Sequence, residues 1–162
     1  MIETILLHAS LFLNAFEDPF MFGVLLACSA LVLSLLKKSA SLSFFVAMGT
    51  TFMTVHIIKS LYAIPRPIDA LVDAAGYRFP SGHAALGAAL ITSFAWHLLK
   101  RSTSSAGRTL IVIISSALIL FVAWTRLHLG VHEVIDVSVG ILLGTSISIL
   151  VHFLVDKVDT GK

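Results

Sequence analysis

The sequence predicts an all-α integral membrane protein: a helical bundle of about five transmembrane helices, preceded by one helix that lies in the membrane interface. The first observation behind this prediction is the composition, because 57% of the 162 residues are hydrophobic and only 12% are charged. Soluble domains carry about 25% charged residues. The second observation is a mean hydropathy of +0.99. A chain of this length cannot bury so much apolar surface in water, so the bilayer is its natural solvent.

Five apolar stretches fit the length of a membrane-spanning helix, which needs about 20 residues and ranges from about 17 to 25. They are residues 20–36, 42–58, 84–99, 110–124 and 134–155. The third and fourth are short, so their flanking residues must help them to cross. We expect one domain over residues 1–162, in which residues 19–156 form the transmembrane bundle.

The segment before the first span, residues 1–18, is predicted to be the interfacial helix. Apolar residues recur in it at helical spacing, but Glu3, His8 and Asn14 interrupt them. This pattern is typical of a helix that lies in the plane of the membrane surface. Asp18 followed by Pro19 suits the start of the next helix. The alternative is a sixth, short span.

The basic residues divide unevenly between the two sides of the predicted bundle. If five spans alternate in direction, one side receives Lys37, Lys38, Lys100, Arg101, Arg108, Lys157 and Lys162. By the positive-inside rule that side is cytoplasmic. The remaining basic residues fall on the outer side, against the rule: Lys59, Arg66, Arg78 and Arg126. Such an exception indicates a function at the outer side. The net charge of +2 is too small to suggest a nucleic-acid partner.

Three polar segments reach that outer side, namely residues 59–67 (KSLYAIPRP), 80–83 (PSGH) and 125–136 (TRLHLGVHEVID). A charged residue costs about 2.5–3.5 kcal/mol at the centre of the bilayer and less near its surface. Several cations at one depth are therefore expected to bind an anion that offsets their charge. A phosphate group is the obvious anion for such a cluster.

The segment 80–83 has the composition of a helix start. Pro80 and Ser81 suit the first positions, and Gly82 lets the backbone come close to a ligand. The N–H groups of a first helical turn bind anions, so this segment is a candidate phosphate cradle. The alternative is that Pro80 and Ser81 only cap the helix.

His132 and Asp136 are four residues apart, so we expect them to share one helix face. The carboxylate would then accept a hydrogen bond from one imidazole nitrogen and leave the other nitrogen free to attack. Arg126 lies across a turn that contains Gly130 and would point its guanidinium at the same anion. The alternative is a polar pair whose members only satisfy each other between helices.

Together these residues resemble the three-part signature of the type-2 phosphatidic acid phosphatase family, which belongs to the same superfamily as the vanadium haloperoxidases. The three parts are Lys59 with Arg66-Pro67, then Pro80-Ser81-Gly82-His83, then Arg126 with His132 and Asp136. The signature extends over residues 59–136, about half of the chain. One departure is Thr125, which stands where the family usually has serine. Because a hydroxyl is kept, we expect activity to survive.

The resemblance implies a haloperoxidase-like phosphatase core and a role for each motif residue. His132 would be the nucleophile that becomes phosphohistidine, Asp136 would orient it, and His83 would donate a proton to the leaving lipid oxygen. The phosphoryl oxygens would be held by Lys59, Arg66, Ser81, Gly82 and Arg126. Further substrate contacts are expected from His128, Arg78 and Tyr77. No metal or other cofactor is expected, since the cations neutralise the phosphate.

The implied activity is that of a lipid phosphatase at the outer face of a bacterial inner membrane. Candidate substrates are undecaprenyl diphosphate, phosphatidylglycerol phosphate, phosphatidic acid and lipid A 1-phosphate, and the expected partners are this substrate and the surrounding membrane lipids. Two alternatives stay open. His128, His132 and Asp136 are spaced four and four, which on one helix face suggests a metal-dependent membrane hydrolase or an ion transporter. A non-catalytic binder or transporter of lipid phosphates would need the cations but not His132.

Overall fold

The computed structural model describes residues 2–14, the single positions 23, 26, 27, 29 and 31, and residues 38–160. Within these ranges the regular structure is helical and contains no strand. The helices are α1 (Ile2–Asn14), α2 (Lys38–Tyr62), α3 (Gly82–Arg101), α4 (Ser105–His128) and α5 (Val134–Thr160). The predicted span 20–36 and the expected helix start at Asp18 and Pro19 lie largely or wholly outside the described residues. The predicted all-α class is confirmed.

Four helices are long and apolar enough to cross a membrane: Ser39–Tyr62, Gly82–Arg101, Ser105–His128 and Val134–Asp159. They correspond to the last four predicted spans, and each is longer than predicted. The short third and fourth stretches gain length because serine caps start their helices further out. The Ser81 side chain accepts a hydrogen bond from the Ala84 N–H, and the Ser104 side chain accepts one from the Gly107 N–H.

The described part of the N-terminal helix α1 has 13 residues. At about 1.5 Å per residue it is about 20 Å long, which is less than the roughly 30 Å of a hydrocarbon core. Its position relative to a membrane stays a prediction.

Helices α3 and α5 pack closely along one line of contact, which we call the α3–α5 seam. A Cβ atom added to Gly144 would lie 1.9 Å from the Ala85 carbonyl oxygen, and one added to Gly140 would lie 2.7 Å from the Ser81 carbonyl oxygen. Only glycine permits this approach, which is the small-residue packing that membrane helices use. Further along the seam, the Ser93 and Ser148 hydroxyls lie 3.0 Å apart. The first turns of α3 and α5 are thereby held side by side.

The opposite ends of α3 and α5 are tied together by an ionic group. Lys100 pairs with Asp156 at 2.6 Å, and the Trp96 indole N–H donates to the same carboxylate at 2.9 Å. Between the two ends the surface of the bundle is apolar. Residues such as Ile113 and Leu120 are more than half exposed, which suits contact with lipid rather than with water.

Candidate active site

The predicted polar segments meet at one end of the bundle. We call residues 59–83 and 125–136 the polar end; it contains the ends of α2 and α4 and the starts of α3 and α5. Backbone hydrogen bonds join its parts: the Leu71 N–H donates to the Leu129 carbonyl at 2.9 Å, and the Ser81 N–H donates to the Asp136 carbonyl at 3.0 Å. The three motifs, far apart in sequence, are therefore held as one unit.

His132 lies buried at the centre of this end, with 5% of its surface exposed. Its Nε2 atom is 3.5 Å from Nη1 of Arg66, and its Nδ1 atom is 3.6 Å from Oδ2 of Asp136. The second distance is longer than a hydrogen bond. His132 thus has one ring nitrogen facing a phosphate-binding candidate and the other facing the carboxylate.

The expectation that His132 and Asp136 share a helix face is wrong. Helix α5 begins at Val134, so His132 lies in the loop before it. The reason is local capping: Asp136, in the first turn of α5, accepts a hydrogen bond from the Glu133 N–H at 2.8 Å. A carboxylate in the first turn that reaches back in this way marks the helix start. The two residues still come together, but through a loop.

The same helix boundaries remove the basis of the metal-site alternative. Helix α4 ends at His128, and Gly130 turns the chain with a φ of 68°. His128, His132 and Asp136 therefore do not line one helix. The His128 ring instead stacks on Trp124, with 4.8 Å between the ring centroids. Among the described residues, no group of three or more His, Cys, Asp or Glu side chains is arranged to hold a metal ion.

Two cations of the polar end, Lys59 and Arg66, donate hydrogen bonds to backbone carbonyls of the loop before α3. Lys59 donates from Nζ to the Tyr77 carbonyl. Arg66 donates from Nε and Nη2 to the Ala75 carbonyl at 3.2 and 3.0 Å. Arg126 is completely buried, and no fully buried side chain among the described residues is larger. Lys59 and Arg66 are thereby held in place, and their charges and that of Arg126 act on His132.

The environment of His132 keeps its imidazole neutral. Burial and the positive charges of Arg66, Lys59 and Arg126 lower the pKa of His132 from 6.5 to about 2. A protonated His83 would act in the same direction, which places His83 within electrostatic range of His132. A neutral imidazole keeps the lone pair that a nucleophile needs.

The start of α3 shows that capping and a phosphate cradle are compatible. Ser81 is buried and caps the helix, and the Ala85 N–H makes the first bond within it, to the Ser81 carbonyl at 3.0 Å. The first turn of a helix carries N–H groups that no carbonyl of the same helix accepts, and these bind anions. A Cβ atom added to Gly82 would meet only Val55, at 3.8 Å. Packing therefore does not require glycine at this position.

An ion-pair group at Asp136 is not evident from the sequence. Nη1 of Arg78 lies 3.0 Å from Oδ2 and 3.3 Å from Oδ1 of Asp136, and 2.9 Å from Oε2 of Glu133. Arg78 was expected to contact substrate, and Glu133 was not considered. The only signal for this pairing was that Arg78 precedes Pro80 and so falls at the same end as Asp136.

Two other predicted positions have identifiable partners. The Thr125 hydroxyl donates to the Val122 carbonyl of its own helix at 2.7 Å. Tyr77 supplies its carbonyl to Lys59, while its side chain is exposed. The substrate contacts expected of Tyr77, Arg78 and His128 stay predictions.

Comparison with known proteins gives a family match and a close structural match. The family model of the PAP2 superfamily matches residues 40–159. Phosphatidylglycerophosphatase B of Bacillus subtilis is 33% identical over 113 residues, which are 68% of this chain and 54% of that protein. The chain thus spans about half the length of this curated relative.

Two solved structures share the fold. One is the first transmembrane PAP2 type phosphatidylglycerolphosphate phosphatase from Bacillus subtilis, with a TM-score of 0.80 and 25% sequence identity. The match covers 94% of this chain and 77% of the chain in that structure. The other, LpxE of Aquifex aeolicus, has a TM-score of 0.64 and 21% sequence identity. That match covers 88% of this chain and 84% of the LpxE chain. The second likeness shows the fold alone. Because the family model spans most of the chain and all three motif segments, this chain belongs to the PAP2 superfamily.

Proposed function

We propose that this protein is a lipid phosphatase that hydrolyses a phosphate monoester or diphosphate of a membrane lipid through a phosphohistidine at His132. The observation that carries the proposal is the setting of His132. A buried, neutral imidazole, with Nε2 3.5 Å from Arg66, stands among the cations Lys59, Arg66 and Arg126. This arrangement supports a role for His132 as a nucleophile beside groups that attract a phosphate.

The reaction would proceed in two displacements. Nε2 of His132 attacks phosphorus, a nitrogen–phosphorus bond forms, and the bond from phosphorus to the lipid oxygen breaks. His83 donates a proton to that oxygen as it leaves. A water molecule then attacks the phosphohistidine while His83 takes its proton, which releases phosphate and restores His132. In phosphoryl transfer the protein contributes mainly positioning and charge neutralisation.

Asp136 would orient the nucleophile from the other side of the ring. Its Oδ2 atom is 3.6 Å from Nδ1 of His132. Catalytic hydrogen bonds are often long in the free enzyme and tighten when substrate binds. A hydrogen bond from Nδ1–H to Asp136 would fix the tautomer that leaves Nε2 unprotonated.

The cations would take the place that a metal has in many phosphoryl-transfer enzymes. Mg²⁺ neutralises the developing charge in kinases, and here Lys59, Arg66 and Arg126 surround the reacting position. We therefore propose a metal-independent reaction.

The orientation that we propose places the polar end at the outer surface of a bacterial inner membrane. The other end of the bundle carries Lys100, Arg101, Arg108 and Lys157, which favours a cytoplasmic location for that end. Lipid would reach the site laterally, because exposed apolar side chains such as Ile57 and Leu61 continue along α2 up to the polar end.

Phosphatidylglycerol phosphate is the first substrate to test, because the similar proteins from Bacillus subtilis are named for this lipid. Undecaprenyl diphosphate, phosphatidic acid and lipid A 1-phosphate complete the panel, since each presents a phosphate at the membrane surface.

The test is phosphate release from these four lipids by purified protein in detergent with EDTA. We expect release by the parent and a loss of about 10³-fold or more in His132→Ala, as for other removed nucleophiles. His8→Ala is the matched control, because His8 is exposed on α1 and its ring contacts its own helix at Thr4. Absence of release from every lipid would contradict the enzyme, and loss of activity with EDTA would contradict metal independence.

A further inference from the structure

The carboxylate of Asp136 is completely buried, and Arg78 is the cation that lies on it. Oδ2 is 2.8 Å from the Glu133 nitrogen and 3.0 Å from Nη1 of Arg78, and Oδ1 is 3.3 Å from the same Nη1. Nδ1 of His132 is farther away, at 3.6 Å. Both carboxylate oxygens are thus held by groups other than the nucleophile.

A buried carboxylate needs a partner of opposite charge, because leaving it unpaired in a protein interior is strongly unfavourable. Arg78 supplies that partner from the loop before α3. Its backbone is itself fixed by a hydrogen bond from its N–H to the Ile64 carbonyl at 2.9 Å. Only 16% of its side chain is exposed, whereas its other partner, Glu133, is 59% exposed. The contact between Arg78 and Asp136 is therefore the buried part of this ion-pair group.

We propose that Arg78 is a positioning residue for the reaction put forward above: it holds the Asp136 carboxylate so that Oδ2 faces Nδ1 of His132 and Nε2 is the attacking atom. This inference rests on the proposed function, since it gives Arg78 a role only if His132 attacks. Arg78 acts through Asp136 and does not bind the phosphoryl group.

Two consequences separate this role from a contact with substrate. A residue that positions the nucleophile affects the chemical step, so its loss lowers kcat and leaves KM nearly unchanged. A residue that binds the headgroup raises KM. In addition, Arg78 and Asp136 act on His132 as one unit, and the effects of residues that act as a unit do not multiply when both are replaced.

The experiment is a double-mutant cycle of Arg78→Gln and Asp136→Asn, with kcat and KM measured on the best lipid of the panel. We expect Arg78→Gln to lower kcat about 10- to 100-fold, the size of one charge-assisted hydrogen bond converted to a rate. KM should stay within about twofold, and the double variant should be within about threefold of Asp136→Asn. Arg78→Lys, which keeps the charge, should recover part of kcat.

Arg108→Gln is the matched control, because it makes the same change at an exposed arginine of the opposite end of the bundle, where Nε of Arg108 donates to the Ser102 carbonyl at 3.3 Å. It should keep the kcat of the parent. Multiplying effects in the cycle, or a change confined to KM, would overturn the inference. If Arg78→Gln does not fold, as judged by size exclusion and thermal unfolding, the cycle is run with Arg78→Lys, for which an unchanged kcat would overturn it.

The same data distinguish a failure of the proposed function from a failure of the role of Arg78. A parent protein that releases phosphate from no lipid contradicts the proposed function. An active parent whose Arg78→Gln variant has the same kcat contradicts the role of Arg78 alone.

Discussion

Replacing Gly144 by alanine should separate α5 from α3 and thereby disturb the polar end. The added Cβ atom would lie 1.9 Å from the Ala85 carbonyl oxygen and 3.0 Å from the Ala89 nitrogen, whereas ordinary contacts begin at 3.4 Å. The obstacle is helix backbone, which cannot rotate away. The helices must therefore move apart locally by about 1.5 Å, and overpacking of this kind costs about 1–3 kcal/mol.

Function should fall together with stability. The same seam carries the hydrogen bond from the Ser81 N–H to the Asp136 carbonyl, so a shift at Gly144 is transmitted to the starts of both helices. A misplacement of about 1 Å near reacting groups reduces catalysis by about 100-fold.

The assay is thermal unfolding in detergent, followed by tryptophan fluorescence, together with phosphate release below the unfolding midpoint. For a protein of this size each kcal/mol lowers the midpoint by about 2–4 °C. Gly49→Ala on α2 is the control, because a Cβ atom there would have no atom of the described residues within 4 Å. An unchanged midpoint and activity in Gly144→Ala would refute the argument that the α3–α5 seam sets the site.

Two further predictions concern Gly82 and His132. Gly82→Ala should have the unfolding midpoint of the parent, because among the described residues its Cβ atom would meet only Val55, at 3.8 Å. Its rate of phosphate release should fall about 10-fold or more if the backbone at this position approaches the phosphate. Parental activity would contradict a phosphate-binding role for the start of α3. Because the pKa of His132 falls from 6.5 to about 2 in the folded protein, its contribution to stability is fully present above pH 6.5 and is lost as the pH falls towards 2. The unfolding midpoint of the parent should therefore fall more steeply between pH 6.5 and 4.5 than that of His132→Gln, and parallel curves would contradict the shift.

The parts of the fold that follow from local composition could be predicted from the sequence. The spans of α2 to α5 are visible as apolar stretches, and the motif residues lie at their ends, so their convergence at one end of the bundle follows from alternating direction. The exact helix lengths depend on caps, such as Ser81 and Ser104, which extend two stretches that are short by composition alone.

Other features depend on contacts between segments and could not be predicted from the sequence. Whether His132 belongs to α5 is decided by the bond from the Glu133 N–H to Asp136, and a spacing of four residues cannot reveal that bond. The pairing of Arg78 with Asp136 joins residues 58 apart in sequence. The closeness of α3 and α5 depends on which faces carry Gly140 and Gly144, and hydropathy alone does not show this.

The central claim, that His132 carries the phosphoryl group, is tested most directly by trapping the intermediate. Purified protein is mixed with lipid labelled in its phosphate, quenched within one turnover, and digested for mass spectrometry, with His132→Ala as control. The account predicts one phosphoryl group on His132, stable in alkali and labile in acid, and none in the variant. An active enzyme with no label on His132, or a His132→Ala variant that still turns over, would contradict it.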